Sequence, residues 1–451
     1  MIDPTHIFSK YPESVPRYTS YPTAPHFKSG LGAELMEKLL GDLTPETRLS
    51  VYAHIPFCDR LCWFCACNTK HTLKYAPVAS YVRSLIEEIA LVHGRLSFKP
   101  VLGHLHFGGG SPSLLNASDF TRLRDALARA FTLDDQTEIS IEIDPSDVTE
   151  DTLVGLRKLG LTRASIGVQD FDPAVQKAIN RPQSFEQTRD VIEALRTTGI
   201  RSLNIDALYG LPLQDLEKVA HTMEKVVELH PDRIALFGYA HVPWMKKHQK
   251  MINEADLPNM LDRFAQATLA ADIFQAAGYE RIGIDHFALP SDPLAVAARA
   301  GTLHRNFQGY TTDRCTTLLG LGGSSIGQFG GGYIQNIVPT GHYQEAIGRG
   351  ELPALKGVFL RRDDVIRGHI IERLMCDFQF SFADLRERFG ADASLYIEEA
   401  EHIALAEDDG LCCVEAEHFI VPADARPYAR IVAARFDAYL AQANARYSSA
   451  I

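Results

Sequence analysis

The chain has 451 residues, 46% of them hydrophobic and 23% charged, which provides for a large core and argues against both wholesale disorder and a disulfide-stapled miniature fold. That length suits one large barrel with a smaller unit attached. Asp and Glu outnumber Lys and Arg by 57 to 45, for a net charge of −12, so the footprint of a general nucleic-acid or anionic-membrane binder is missing and neither partner is expected.

Residues 1–48 read as an N-terminal arm. Pro4, Pro12, Pro16, Pro22 and Pro25, with tyrosines between them, break up the first 28 residues, where no long regular element is predicted. Neither a charged-then-apolar leader nor an uninterrupted apolar run of about 18 residues is visible, so a cytoplasmic protein is expected.

Within a barrel region and its extension read at 49–361, one motif recurs from about 49 to 240: a short apolar or β-branched run, a loop with Gly, Asp or Pro, then an amphipathic stretch. Strands are predicted at 49–55, 101–107, 138–143, 163–169, 202–208 and 233–239. Helices fill the gaps near 77–93, 117–131, 149–159, 184–198 and 215–229, with another near 257–277. Ser118-Asp119 and Thr149-Glu150 look like helix starts, and Gly94, Gly160 and Gly199 like ends. Consecutive β-loop-α units of about 30 residues imply parallel strands joined by right-handed crossovers. The fold class is therefore α/β, with a partial or full parallel (β/α) barrel preferred and a doubly wound open sheet as the alternative. In both, ligands gather at the C-terminal ends of the strands. Residues 362–451 change texture to helix, turn and helix, then a hairpin-like stretch at 411–422 and a last helix near 427–447. This is a small, mostly helical, winged-helix-like domain, read as a cover for the open side of the barrel.

Four of the eight cysteines, Cys58, Cys62, Cys65 and Cys67, fall within ten residues just after the first predicted strand. In a reducing compartment such a cluster points to metal rather than disulfides. Cys58, Cys62 and Cys65 form a C-x3-C-x2-C pattern, and three thiolates on one loop can hold three irons of a 4Fe-4S cube while the fourth stays open for a small molecule. Zinc is the competing reading, but the usual second CxxC pair is absent from the sequence. Cys67 would close the open iron, so it is assigned a role near the substrate or radical. His54, in the strand-to-loop turn, is read as a packing residue.

This loop, with Phe64 before its third cysteine, is similar to the signature of the radical S-adenosylmethionine superfamily, and Gly108-Gly109-Gly110-Ser111-Pro112 follows the second strand where that superfamily has its glycine-rich loop. Glycine lets backbone groups approach a cofactor with no Cβ in the way. Within the superfamily, the segments PRYTSYPTA (16–24), CACN (65–68) and HRNFQGYTT (304–312) resemble the oxygen-independent coproporphyrinogen III oxidases (coproporphyrinogen dehydrogenases) of bacterial haem biosynthesis. Haem-binding chaperones of the same superfamily are the alternative, but they are typically shorter and lack the PRYTSYP arm and the extra cysteine.

The resemblance implies one 4Fe-4S cluster on Cys58, Cys62 and Cys65 and two S-adenosylmethionine molecules. Tyr52, Gly109, Glu142 and Ile326 match contacts to the first molecule. Phe64, Gly110, Ser111, Gln169, Arg181, Asp206 and Ala240 match contacts to the second. It further implies oxidative decarboxylation of two propionates of coproporphyrinogen III to vinyl groups, electrons from a low-potential donor such as a flavodoxin or ferredoxin, and a monomer. Cys67, Arg17 and Tyr18 are the candidate catalytic residues. Arg17 and Arg305 suit the substrate carboxylates, and Tyr18 and Tyr21 suit stacking on a flat macrocycle.

Overall fold

A computed structural model describes residues 2–12 and 15–440. Six β-α units follow one another: β1 (Arg48–Ile55), α1 (Tyr75–His93), β2 (Val101–Gly109), α2 (Ala117–Ala130), β3 (Thr132–Ile143), α3 (Glu150–Leu159), β4 (Arg163–Gln169), α4 (Phe185–Arg196), β5 (Ser202–Tyr209), α5 (Leu216–Glu228), β6 (Arg233–Gly238) and α6 (Met260–Ala276). All six predicted strands and the six predicted helices are present, with ends shifted by a few residues. The α2 start differs. Asn116, rather than Ser118-Asp119, caps it, its side chain accepting the Asp119 N–H at 2.8 Å.

The six strands pair in sequence order and in parallel. Alternation along them sorts the side chains. Ala164, Ile166 and Val168 of β4, and Leu203, Ile205 and Ala207 of β5, are buried in one core with Leu123, Leu127, Leu156, Ile192 and Met223 of the surrounding helices. Ser165, Gly167 and Gln169, like Asn204 and Asp206, occupy the other face.

The sheet extends beyond these six. Strands β7 (Glu280–Ile282) and β8 (His286–Ala288) add antiparallel strands beside β6. On the other side, β9 (Thr317–Leu321) pairs parallel to β1, followed by antiparallel β10 (Ile326–Phe329), β11 (Gly332–Asn336), β12 (Ala354–Phe359) and the short strand Lys28–Ser29. Among the described residues this is a thirteen-stranded mixed sheet, with the six parallel strands of the expected (β/α) barrel side by side in sequence order. A seventh parallel strand, β9, escaped the sequence reading because its short apolar run is followed by a second strand with no helix between.

The C-terminal region contains α7 (Arg362–Asp377), β13 (Gln379–Ser381), α8 (Phe382–Phe389), α9 (Ala393–Leu405), β14 (Cys413–Glu415) and β15 (His418–Ile420), the three strands forming a small sheet of their own. The hairpin falls where expected. The last helix is shorter, Ala429–Ala434 after a 3-10 turn, and positions 441–447 of the predicted one lie outside the described residues. The arm is more ordered than its prolines suggest. Pro4–Lys10 is helical, and Ile7, Tyr18 and Tyr21 are buried in the core of the C-terminal region with Ile370, Leu374 and Phe436.

Candidate active site

Three strand-to-helix loops and the ends of three more strands surround one cavity of about 340 Å³. The cysteine loop enters it from β1. Its entry strand, Phe57–Cys58, pairs with Lys70–His71, so the loop is closed at its base. Loop and glycine turn are joined through the backbone: the Gly110 N–H donates to Ile55 O (2.8 Å) and the Ser111 N–H to Phe57 O (2.7 Å). This approach requires glycine. A Cβ on Gly110 would stand 2.5 Å from Phe57 O, and Gly109, at φ +114°, would press one into the His54 ring at 2.4 Å.

Cys58, Cys62, Cys65 and Cys67 all line the cavity and all are free thiols. Burial pushes the Cys58 thiol well above its usual range, helped by the neighbouring Cys65 and Cys62. Burial likewise raises Cys62, against the pull of Arg181. Cys65 is brought down to about 7 by the Cys67 side chain beside it and, further off, by Lys246. Among the described residues no three Cys, His, Asp or Glu side chains converge on one ion. The three thiols instead border a space, as a cluster of several irons needs.

Polar contacts hold this loop from two sides. Arg181, 8% exposed at its side chain, donates through Nη1 to Asp144 Oδ2 (3.0 Å) and Cys62 Sγ (3.5 Å), and through Nη2 to Gly167 O (2.8 Å). Arg60 donates to Ser146 Oγ (2.8 Å) and lies 3.6 Å from Asp144. From the segment after β6, His248 Nε2 reaches Cys65 O (2.7 Å), Lys246 reaches Cys67 O (3.0 Å), and the buried Gln249 amide bridges Phe64 O (2.8 Å) and Ala240 O (3.1 Å).

The cavity floor comes from the strands. Glu142 accepts the Gly109 N–H (2.8 Å) and faces His106 Nε2 (3.4 Å). Desolvation works to raise its carboxyl, but His106 and the Gly109 N–H hold it below the usual value. Asp206 accepts from Ser165 (2.9 Å) and Asn204 (2.8 Å), and burial with the nearby Glu142 charge raises it to about 6. Gln169 ends β4 in the left-handed region at φ +70°, where the β4–β5 register shifts, an unfavourable backbone for a non-glycine residue. His54 is kept neutral by burial. Its Nε2 donates to Asn68 O (3.0 Å), so Nδ1 accepts from the Tyr52 hydroxyl (3.0 Å).

Of the residues singled out in the sequence, the four cysteines, Phe64, Gly109, Gly110, Ser111, Glu142, Gln169, Arg181, Asp206, Ala240 and Arg17 line this cavity. Three do not. Tyr52 sits beside it, stacked on His106. Ile326 lies on β10, two strands from β1, and Tyr18 is buried in the C-terminal core with its hydroxyl on Asp437 (3.1 Å). The Arg181 guanidinium, matched by resemblance to the second S-adenosylmethionine, is engaged by the protein's own Asp144. Sequence reasoning missed Asp144, Arg60, His106, His248 and Gln249. For His106 a signal existed: polar residues alternating with apolar ones in VLGHLHF and EISIEI betray a polar inner face.

The Radical SAM superfamily family matches residues 52–226 and the HemN C-terminal domain family matches residues 360–428. An oxygen-independent coproporphyrinogen III oxidase of Cereibacter sphaeroides is 47% identical, over 97% of this chain and 96% of the relative. Its namesake in Pseudomonas aeruginosa is 40% identical over the same shares. The solved coproporphyrinogen III oxidase (HemN) of Escherichia coli, described as a radical SAM enzyme, superposes with a TM-score of 0.90 at 38% identity, over 97% of this chain and 100% of that one.

Proposed function

The chain belongs to the oxygen-independent coproporphyrinogen III oxidases of the radical SAM superfamily, and on that premise we propose that it converts two propionate side chains of coproporphyrinogen III to vinyl groups, giving protoporphyrinogen IX without oxygen. The observation that carries this reading is one cavity bordered by three thiols of a single loop, a glycine turn tied to that loop, and polar strand ends. The haem-binding chaperone alternative is not favoured, since full-length relatives bear the oxidase name.

The residues present suit the family's cofactors. Cys58, Cys62 and Cys65 would hold a 4Fe-4S cluster, which, with bound S-adenosylmethionine, would supply the radical chemistry that removes hydrogen from the propionate. The protein binds, orients and shields. Arg181, Arg60, His248 and Gln249 fix the loop that carries the thiols. Glu142, held charged by His106 and the Gly109 amide, offers an acceptor to a cationic or hydroxyl group. Asp206 offers another across the cavity. Arg17, at the border, suits a substrate carboxylate, and Cys67 opens on the same space.

We assign two S-adenosylmethionine molecules to this cavity. By the resemblance Tyr52, Gly109, Glu142 and Ile326 are assigned to the first, of which Gly109 and Glu142 line the cavity, and Phe64, Gly110, Ser111, Gln169, Arg181, Asp206 and Ala240 to the second. Support comes from the lining of the second set, which runs from the glycine turn across to β5 and the end of β6. The proposal includes an arm (1–48), a barrel with its extension (49–361), a covering C-terminal domain (362–451), a cytoplasmic monomer, and a flavodoxin- or ferredoxin-like electron donor. No described helix is long and apolar enough to cross a membrane. Because the departure of each CO2 after hydrogen removal leaves one electron, anaerobic incubation of reconstituted protein with coproporphyrinogen III, S-adenosylmethionine, a low-potential reductant and a one-electron acceptor tests the activity. Chromatography should show the divinyl product. Tight haem binding without turnover would refute the reading.

A further inference from the structure

Past Gly238 and Tyr239 the main cavity adjoins a smaller chamber of about 30 Å³ where barrel, arm and C-terminal region meet, with Arg17 lining both. Four guanidiniums from four separate segments converge there: Arg17 of the arm, Arg263 of α6, Arg305, and Arg430 of the last helix. Asp285 is the one carboxylate among its described lining residues.

Neither Arg305 nor Arg430 is fully used by the protein. The Arg305 side chain is 4% exposed, its nearest Asp285 oxygen is 3.7 Å away, and its Nε and Nη1 find no hydrogen-bond partner among the described residues. The same holds for Arg430 Nε. Burial and the crowd of neighbouring arginines depress Arg430 to about 10. Buried donors without acceptors, and like charges brought together out of water, are each unfavourable unless an anion joins them. The backbone is also bare where Arg263 passes. A Cβ at Gly210 would stand 2.8 Å from Arg263 Nη1, and one at Gly238 would stand 3.0 Å from Nη2.

We propose that this chamber seats a carboxylate of the porphyrinogen that the reaction leaves intact, which rests on the activity proposed above and extends it. The volume suits two oxygen atoms, about two waters' worth, and not a ring. A carboxylate that departs as CO2 loses its charge on the way. A fixed set of guanidiniums would favour its charged starting state over that transition state and slow its loss. A carboxylate that stays gains a constant anchor and holds the macrocycle in register with the thiol end of the cavity.

The test uses full-length, cluster-reconstituted protein carrying Arg430→Gln or Arg263→Gln, and three stable probes followed by fluorescence quenching: coproporphyrin III, a porphyrin with only two propionates, and coproporphyrin III tetramethyl ester. Both variants should bind coproporphyrin III and the dipropionate porphyrin about tenfold or more weakly, with cluster absorption unchanged. The ester should bind poorly and alike to all three proteins. Arg430→Lys should recover part of the loss. Unchanged affinities would overturn the chamber's role, as would weakening confined to coproporphyrin III, which would place a departing carboxylate there. Should Arg430→Gln not fold, Arg263→Gln carries the same comparison. Absence of turnover by the unaltered protein is a separate result that would strike at the proposed activity. Normal turnover with unaffected variants strikes only at the chamber.

Discussion

Arg181→Met should loosen the cysteine loop before it affects anything else. The methionine keeps most of the volume but removes three donor contacts: to Asp144 at 3.0 Å, to Cys62 Sγ at 3.5 Å and to Gly167 O at 2.8 Å. Asp144, 13% exposed, would then be a buried charge without its main partner. Breaking such a pair from one side typically costs 3–5 kcal/mol. Arg60 at 3.6 Å and the Ser146 donors remain with Asp144, so the lower end, about 3 kcal/mol, is expected. If that cost falls on local opening, the Cys62 thiol should react with a thiol reagent on the order of 100-fold faster in the apo-protein, since 1.4 kcal/mol is a factor of ten. Reconstituted iron should fall in parallel. Adding Asp144→Asn removes the stranded charge and should recover at least about 1 kcal/mol of the unfolding free energy measured in urea. The sign with pH follows from the carboxyl, which Arg181 and the Ser146 donors hold low against desolvation. Its stabilising contribution is present above the unfolded value near 4 and disappears as the pH drops through the lower folded value. Labelling of Cys62 at an unchanged rate would refute the reasoning.

Replacing Cys58, Cys62 or Cys65 by Ser should each abolish the visible cluster absorption after anaerobic reconstitution, whereas Cys67→Ser should retain it and lose vinyl formation; a Cys67→Ser protein without a cluster would contradict the open-iron assignment. Asp206 titrates near 6 when folded, above its unfolded value, so its contribution is full below about pH 4 and is lost as the pH rises through 6. Asp206→Asn should therefore gain on the wild type, by about 1.4 kcal/mol, when apo-protein unfolding is compared at pH 8 and pH 5. Ile7→Ala, at a position with 0% exposure in the C-terminal core, should cost about 2–5 kcal/mol and make residues 362–440 more susceptible to proteolysis, although it lies in the arm.

The barrel was legible because each of its strands is an apolar run bounded by turn residues, with an amphipathic helix after all but the last at the expected distance. The thiol loop was legible because its chemistry is compressed into eight consecutive residues. What escaped were contacts made at long separation. Arg181 looks like a surface cation in the stretch Ile-Asn-Arg-Pro until the fold places Asp144 beside it. Gln249 reaches Phe64 across 185 positions, and no local pattern marks a glutamine that will be buried. The arm misled in a different way. Its prolines correctly forbade a long helix, but irregular chain is not loose chain, and Tyr18, read as a substrate contact, is buried against Asp437 because an apolar ring next to an apolar core gains more by packing than by facing water.

On the assignments proposed above, carboxylates left over at one end of the site and arginines gathered at the other would give the acidic chain a means of sorting its ligands. At the thiol end the free carboxylates are Glu142 and Asp206, while Asp144 is already matched by Arg181 and Arg60. At the other end four arginines face Asp285. S-adenosylmethionine carries a positive sulfonium and the porphyrinogen four negative carboxylates, so on those assignments each would be drawn to its own end and repelled from the other. The wrong arrangement would set a propionate against Glu142 in a space where water screens poorly. Arg17 stands on the boundary, donating to Gly238 O at 2.9 Å with its charge between the two halves. Since it comes from the arm, and the arm is held by the C-terminal core, the proposal gives the C-terminal region a part in the chemistry although none of its described residues lines the main cavity: it would fix the cation that stands between cofactor and substrate.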